Sequence, residues 1–195
     1  MNRPTTVQRT LAVTIYCGST PGVDKVYTDA AYTLGLEAAR RGIATVTGAG
    51  CNGLMGAVVD GTLDGAGTAI GVIPSFMVER GWHNTRMSRL HVTEGMHPRK
   101  HMMADLSIGA IALPGGVGTL DELFEIITWH QLGIYPYPVV ILNIAGYYDP
   151  LLEMLSQAAS SGMLRNAQAQ SLWHEAKTPQ EALDHILSNQ PDLRQ

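Results

Sequence analysis

Residue types and spacings suited to chemistry concentrate in the run Pro114-Gly115-Gly116-Val117-Gly118-Thr119-Leu120-Asp121-Glu122, which leaves an apolar stretch and opens a helical one. Glycines let the backbone turn and expose its N–H groups. A helix start adds unpaired donors and a partial positive charge, and together these favour a phosphate. The run is not a P-loop, because no Gly-Lys-Ser/Thr follows, and it lacks the Gly-x-Gly-x-x-Gly spacing of a dinucleotide fingerprint. A plain strand-to-helix turn capped by Thr119 is the alternative. Thr119 and Glu122 also have the Thr-x-x-Glu spacing of a capping box, which accounts for Glu122 without chemistry. A carboxylate in the first turn beside a phosphate loop is also well placed to stabilise a cationic ribosyl transition state or to orient a water.

A second cluster is Gly95-Met96-His97-Pro98-Arg99-Lys100-His101-Met102-Met103. Arg99 and Lys100 stand near a helix start, where the helix dipole disfavours cations. Their position points to an anionic ligand, although a solvated face looks the same. His97 and His101 are four apart, but no Glu or third ligand completes a site, so no metal is expected. The methionines read as core filler. Gly48-Ala49-Gly50-Cys51-Asn52-Gly53-Leu54-Met55-Gly56 is another strand–loop–helix junction. It serves either close approach to a ligand or close packing of helix on strand. Nothing in the sequence supplies a base for Cys51, which reads as a spectator. Trp82, Trp129 and Trp173 read as packing or interface residues.

The elements that must position these residues alternate between β-rich runs and amphipathic helices. Strands are expected at 11–16, 43–47, 68–73, 90–93, 108–113, 139–143 and 171–176. Helices are expected at 24–41, 54–63, 97–106, 119–131, 149–161 and 179–188. The stretch 75–95 is mixed. Such alternation implies an α/β, Rossmann-like doubly wound parallel sheet with helices on both faces, in a single domain over 1–195 with flexible ends at 1–10 and 189–195. Gly18-Ser19-Thr20, Gly48-Ala49-Gly50 and the run 114–119 all fall at strand carboxyl ends, where such folds bind ligands.

Composition agrees with a globular domain: 195 residues, 45% hydrophobic, enough for a sizeable core. Only 15% are charged, which leaves apolar surface for a partner subunit. A net charge of −4 lacks the basic field of a nucleic-acid binder. The two cysteines, Cys17 and Cys51, make no disulfide framework and read as reduced thiols in the cytoplasm. The apolar run 11–17 is short for a signal peptide, and no stretch is long enough to span a membrane.

The motifs resemble a known family. Residues 114–122 resemble its PGGxGTxxE signature, and Met96-His97-Pro98-Arg99-Lys100 resembles the accompanying MHxRK element. Cys17-Gly18-Ser19, Gly53-Leu54-Met55-Gly56, Thr128-Trp129-His130-Gln131-Leu132-Gly133 and Gly146-Tyr147-Tyr148 match further blocks in order. The chain resembles the LONELY GUY family of cytokinin riboside 5′-monophosphate phosphoribohydrolases, many once mislabelled lysine decarboxylases. The resemblance implies a homodimer without metal or redox cofactor that hydrolyses N6-substituted adenosine monophosphates, and often AMP, to base plus ribose 5-phosphate. It implies Arg99 and Glu122 as the catalytic pair and Gly115, Gly116, Val117, Gly118 and Thr119 as the phosphate cradle. Lys100, Ser19, Gly50 and Met96 follow as further substrate contacts. The alternative is a non-catalytic nucleotide carrier or sensor on the same fold. Three positions depart from the family pattern: Gly81, where members often carry Glu; Ile108, where they often carry Asp; and Ala49, in place of the middle of three glycines. The first two are expected to lie near the site.

Overall fold

The computed structural model describes residues 11–164 and 171–191. The described residues form one seven-stranded parallel sheet in the order β4-β3-β2-β1-β5-β6-β7. The strands are β1 Ala12–Tyr16, β2 Ala44–Thr47, β3 Ala69–Pro74, β4 Arg89–Thr93, β5 Ala110–Ala112, β6 Val139–Leu142 and β7 His174–Ala176. The helices are α1 Lys25–Arg40, α2 Gly53–Asp64, α3 Ser75–Glu79, α4 Met96–Asp105, α5 Val117–Gln131, α6 Asp149–Ser160 and α7 Pro179–Ser188. The chain winds outward from β1 to β4, returns to place β5 beside β1, and winds the other way to β7. The reversal opens a crevice beyond the carboxyl ends of β1 and β5, the usual ligand position in such a sheet.

Side chains alternate along each central strand, so each strand feeds two cores. Val13, Ile15 and Cys17, with Ile111, Leu113, Val140 and Leu142, pack under α1, α2 and α7 through Leu34, Val58 and Leu183. Ala12, Tyr16, Ala110, Ala112, Val139 and Ile141 face α4, α5 and α6 through Met103, Leu123, Ile126 and Leu155. Burial on both faces explains why the strands read as continuous apolar runs. Among the described residues no helix is long and apolar enough to cross a membrane.

Boundaries agree with the sequence pattern to within two residues except at β7, expected from 171 and observed from His174; several of the small shifts have local causes. Asp24 is the N-cap of α1 rather than its first residue, and its side chain accepts from the Val26 N–H at 3.2 Å. Pro74, expected to end β3, is its last residue and pairs with Thr93 on β4. α5 begins at Val117, not at Thr119, so Gly118 lies in its first turn and Gly116 is its N-cap. Residues 75–79, unassigned from sequence, form a short helix. Of the expected flexible ends, 1–10 and 192–195 lie outside the described residues. Asn189 and Gln190 are held instead: Asn189 Nδ2 donates to the His185 carbonyl at 2.9 Å and Gln190 Nε2 to that of Ile108 at 3.0 Å.

Candidate active site

The loops after β1, β2 and β5 meet at the crevice. The Gly18 N–H donates to the Pro114 carbonyl at 3.0 Å, and the Met55 N–H donates to the Gly18 carbonyl at 3.1 Å. Gly115 must be glycine, because a Cβ there would collide with the Thr119 side chain and lie 2.8 Å from the Gly18 nitrogen. The Leu120 N–H makes the first helical bond of α5, to the Gly116 carbonyl. The N–H groups of Val117, Gly118 and Thr119 precede it and have no helical partner. These residues, with Gly116, Ser19, Thr20 and Met96, line a chamber of about 380 Å³. It therefore has a helix N-terminus suited to an anion on one wall.

Arg99 and Glu122 line the same chamber. Arg99 Nη1 lies 3.0 Å from Glu122 Oε1, with side chains 8% and 7% exposed. Arg99 Nε donates to the Val72 carbonyl at 3.1 Å, and Gly48 leaves space that any Cβ would take from the guanidinium. The helix caps at Gly116 without a side-chain bond, so no capping box forms and Glu122 turns to Arg99. Burial pushes the Glu122 carboxyl above its ordinary value; Arg99 opposes this and Asp121 adds to it. Burial also pushes the Cys17 thiol up, and the Glu122 charge pushes it further, so this chamber-lining cysteine is a protonated, inert wall. Lys100 is turned elsewhere. Its Nζ lies 3.0 Å from Asp121 Oδ2 and 3.1 Å from Glu125 Oε2, and it lines neither this chamber nor the next. Burial alone would lower its pKa, but bonds to Asp121 and Glu125 outweigh that and raise it. The carboxylates thus hold the ammonium behind the wall.

A second chamber of about 470 Å³ shares Ser19, Met55, Met77 and Arg99 with the first. Gly50, Cys51, Ile73, Gly81 and Trp82 complete it. Trp82, read from sequence as a packing or interface residue, is 51% exposed on this wall. The Arg80 guanidinium lies 5.1 Å from its ring centre and 5.7 Å from that of Phe76. Trp129 and Trp173 do pack against a core. Met77 lies on a helix of only five residues and Trp82 just beyond it, so neither carried a periodic signal in sequence.

A family described as "possible lysine decarboxylase" matches residues 55–186. A probable cytokinin riboside 5′-monophosphate phosphoribohydrolase of Oryza sativa subsp. japonica is 41% identical over 179 residues, 92% of this chain and 73% of its own. A cytokinin riboside 5′-monophosphate phosphoribohydrolase of Rhodococcoides fascians is 42% identical over 157 residues, covering 80% and 79%. The chain belongs to the LONELY GUY family. Among solved structures, the molybdenum cofactor binding protein of Rippkaea orientalis superposes with a TM-score of 0.70 over 93% of this chain and 98% of its own. At 22% identity that likeness concerns the fold alone.

The three departures from the family pattern now have places. Ala49 has φ 61°, the costly left-handed region; its Cβ fills the gap left by Gly71, where a Cβ would lie 2.7 Å away. Gly81 has φ +70° and lines the second chamber. Ile108 was expected near the site, but it lies before β5, at the amino end of the sheet. There its N–H donates to the Ala12 carbonyl at 2.8 Å, across the sheet from the glycine loop.

Proposed function

We propose that this family member hydrolyses the N-glycosidic bond of N6-substituted adenosine 5′-monophosphates, releasing the free base and ribose 5-phosphate, with AMP as the simplest substrate. The observation that carries the proposal is the buried Arg99–Glu122 pair lining one chamber with the α5 N-terminus. The 5′-phosphate sits on the N–H groups of residues 116–119, where the helix dipole favours an anion. The ribose then lies before Glu122. As the bond to the base loosens, positive charge grows on the ribose, and the Glu122 carboxylate stabilises it and orients the attacking water. The water's hydroxyl adds to C1′ and its proton leaves with the base. Arg99 keeps Glu122 ionised against burial and reaches toward the departing base. Ser19, Gly50 and Met96 border the ligand, while Lys100 acts through Asp121 and Glu125. The second chamber, with Met55, Ile73, Met77 and Trp82, receives the base and its apolar N6 substituent.

We further place the protein in the cytoplasm as a homodimer. Phe124 on α5 and Leu132 and Ile134 beyond it are exposed, as an interface would use them; light scattering giving a monomer mass would refute the dimer. The test of function is incubation with AMP and with N6-isopentenyl-AMP, following free base by chromatography, with Glu122→Ala and Arg99→Ala alongside. Release by the native protein and loss in both variants supports the reading; intact nucleotide bound without turnover favours a carrier.

A further inference from the structure

Three successive carbonyl oxygens in the loop after β5 are each tied by a hydrogen bond. The Leu113 carbonyl accepts from Tyr148 Oη at 2.7 Å, the Pro114 carbonyl from the Gly18 N–H at 3.0 Å, and the Gly115 carbonyl from Tyr147 Oη at 2.7 Å. A trans peptide sends its C=O and N–H to opposite sides, and no described peptide is cis. The Gly115 N–H therefore points away from Gly18. The Gly116 N–H points away from Tyr147, which lines neither chamber, while Gly116 lines the first. Released from these bonds, a glycine-rich loop could rotate either peptide and turn a carbonyl toward the anion.

The two tyrosines are themselves held at some cost. Ala145 at φ 52° and Gly146 at φ 73° bend the chain after β6 so that both rings meet the loop. Asn143 secures the bend: its Oδ1 accepts from the Tyr148 N–H at 2.8 Å, and its Nδ2 donates to Asp149 at 2.7 Å and Glu175 at 3.0 Å. The Tyr147 ring packs edge-on against Tyr27 and Tyr148, with centroids 5.6 and 5.0 Å away. A left-handed alanine is a strained conformation that a surrounding network must maintain, and such strain concentrates at functional sites.

We propose that Tyr147 is a positioning residue of the phosphate site, holding the Gly115–Gly116 peptide with its N–H toward the ligand and its carbonyl away, while Tyr148 anchors the start of the same loop. The proposal rests on the assignment of that chamber to the 5′-phosphate. Tyr147 gives the sharper test, because Tyr147→Phe keeps both ring contacts and removes one hydroxyl from a half-exposed side chain. The experiment measures ribose 5-phosphate and adenosine binding by calorimetry, steady-state kinetics with AMP, and the melting midpoint. The expected result is an increase of about five- to tenfold in both the ribose 5-phosphate Kd and the KM for AMP, with kcat within about twofold. Adenosine binding and the melting midpoint stay as in the native protein. Unchanged ribose 5-phosphate binding in the variant, or an equal loss for adenosine, overturns the proposal alone. A native protein that binds ribose 5-phosphate no better than ribose overturns the phosphate assignment, and the proposal with it.

Discussion

Glu122→Ala removes the carboxylate from a guanidinium only 8% exposed and leaves Arg99 its bond to the Val72 carbonyl. Removing one member of a buried ion pair costs about 3–5 kcal/mol, since the remaining charge is left without compensation. The chamber admits water to one side of the pair, so the lower end, about 3 kcal/mol, applies here. For a chain of this size each kcal/mol lowers the melting midpoint by about 2–4 °C, giving a fall of about 6–12 °C. Replacing both partners, Arg99→Met with Glu122→Leu, removes both charges and refills the space. The double variant should recover to within about 1–2 kcal/mol of native stability. Base release should be abolished in the single and double variants alike. Urea unfolding by circular dichroism measures the stabilities, and chromatography of free base measures the activity. Two results would refute the reasoning: a native urea midpoint for Glu122→Ala, or a double variant as unstable as the sum of the two singles.

Other predictions follow from the same geometry. Because burial raises the Glu122 pKa, the acid limb of kcat/KM for the native protein should lie above the ordinary carboxylate range; a limb at the ordinary value contradicts this. The same shift makes the folded state hold that proton longer than the unfolded chain. Glu122 should therefore lower stability as pH rises from its unfolded to its folded pKa, and Glu122→Gln should flatten that slope in urea midpoints. Gly71→Ala brings a Cβ to 2.7 Å from the Ala49 Cβ and 3.0 Å from Leu90 and Met87. It should destabilise by about 1–3 kcal/mol; adding Ala49→Gly should restore part of the loss, which a double-mutant cycle in urea measures, and strict additivity would exclude the contact. Trp82→Ala should raise KM for N6-isopentenyl-AMP by about tenfold and that for AMP by much less; equal changes would remove the tail from the second chamber.

The sheet was legible because its strands are buried on both faces and so appear as short β-branched runs between periodic helices, as in 11–16 and 139–143. The glycine loop at the chamber was legible because Gly115, Gly116 and Gly118 are dense and end at a helix. The role of Glu122 was not settled by spacing: Thr119-x-x-Glu122 fits a capping box as well, and only the start of α5 at Val117 separates the two. Lys100 shows the converse limit. Adjacent Arg99 and Lys100 project from α4 in different directions, one to the chamber and one to Asp121 and Glu125, and adjacency in sequence does not reveal which. Ile108 looked close to the site along the chain, yet a strand separates it from the loop. Trp82 and Met77 belong to a segment with too few residues for a periodic signal.

The most direct test of the central claim is one turnover of N6-isopentenyl-AMP in heavy-oxygen water, with mass analysis of both products. The account predicts free base together with ribose 5-phosphate carrying the heavy oxygen at C1′, and neither product from Glu122→Ala. Nucleotide recovered intact, or base released equally by Glu122→Ala, would contradict it.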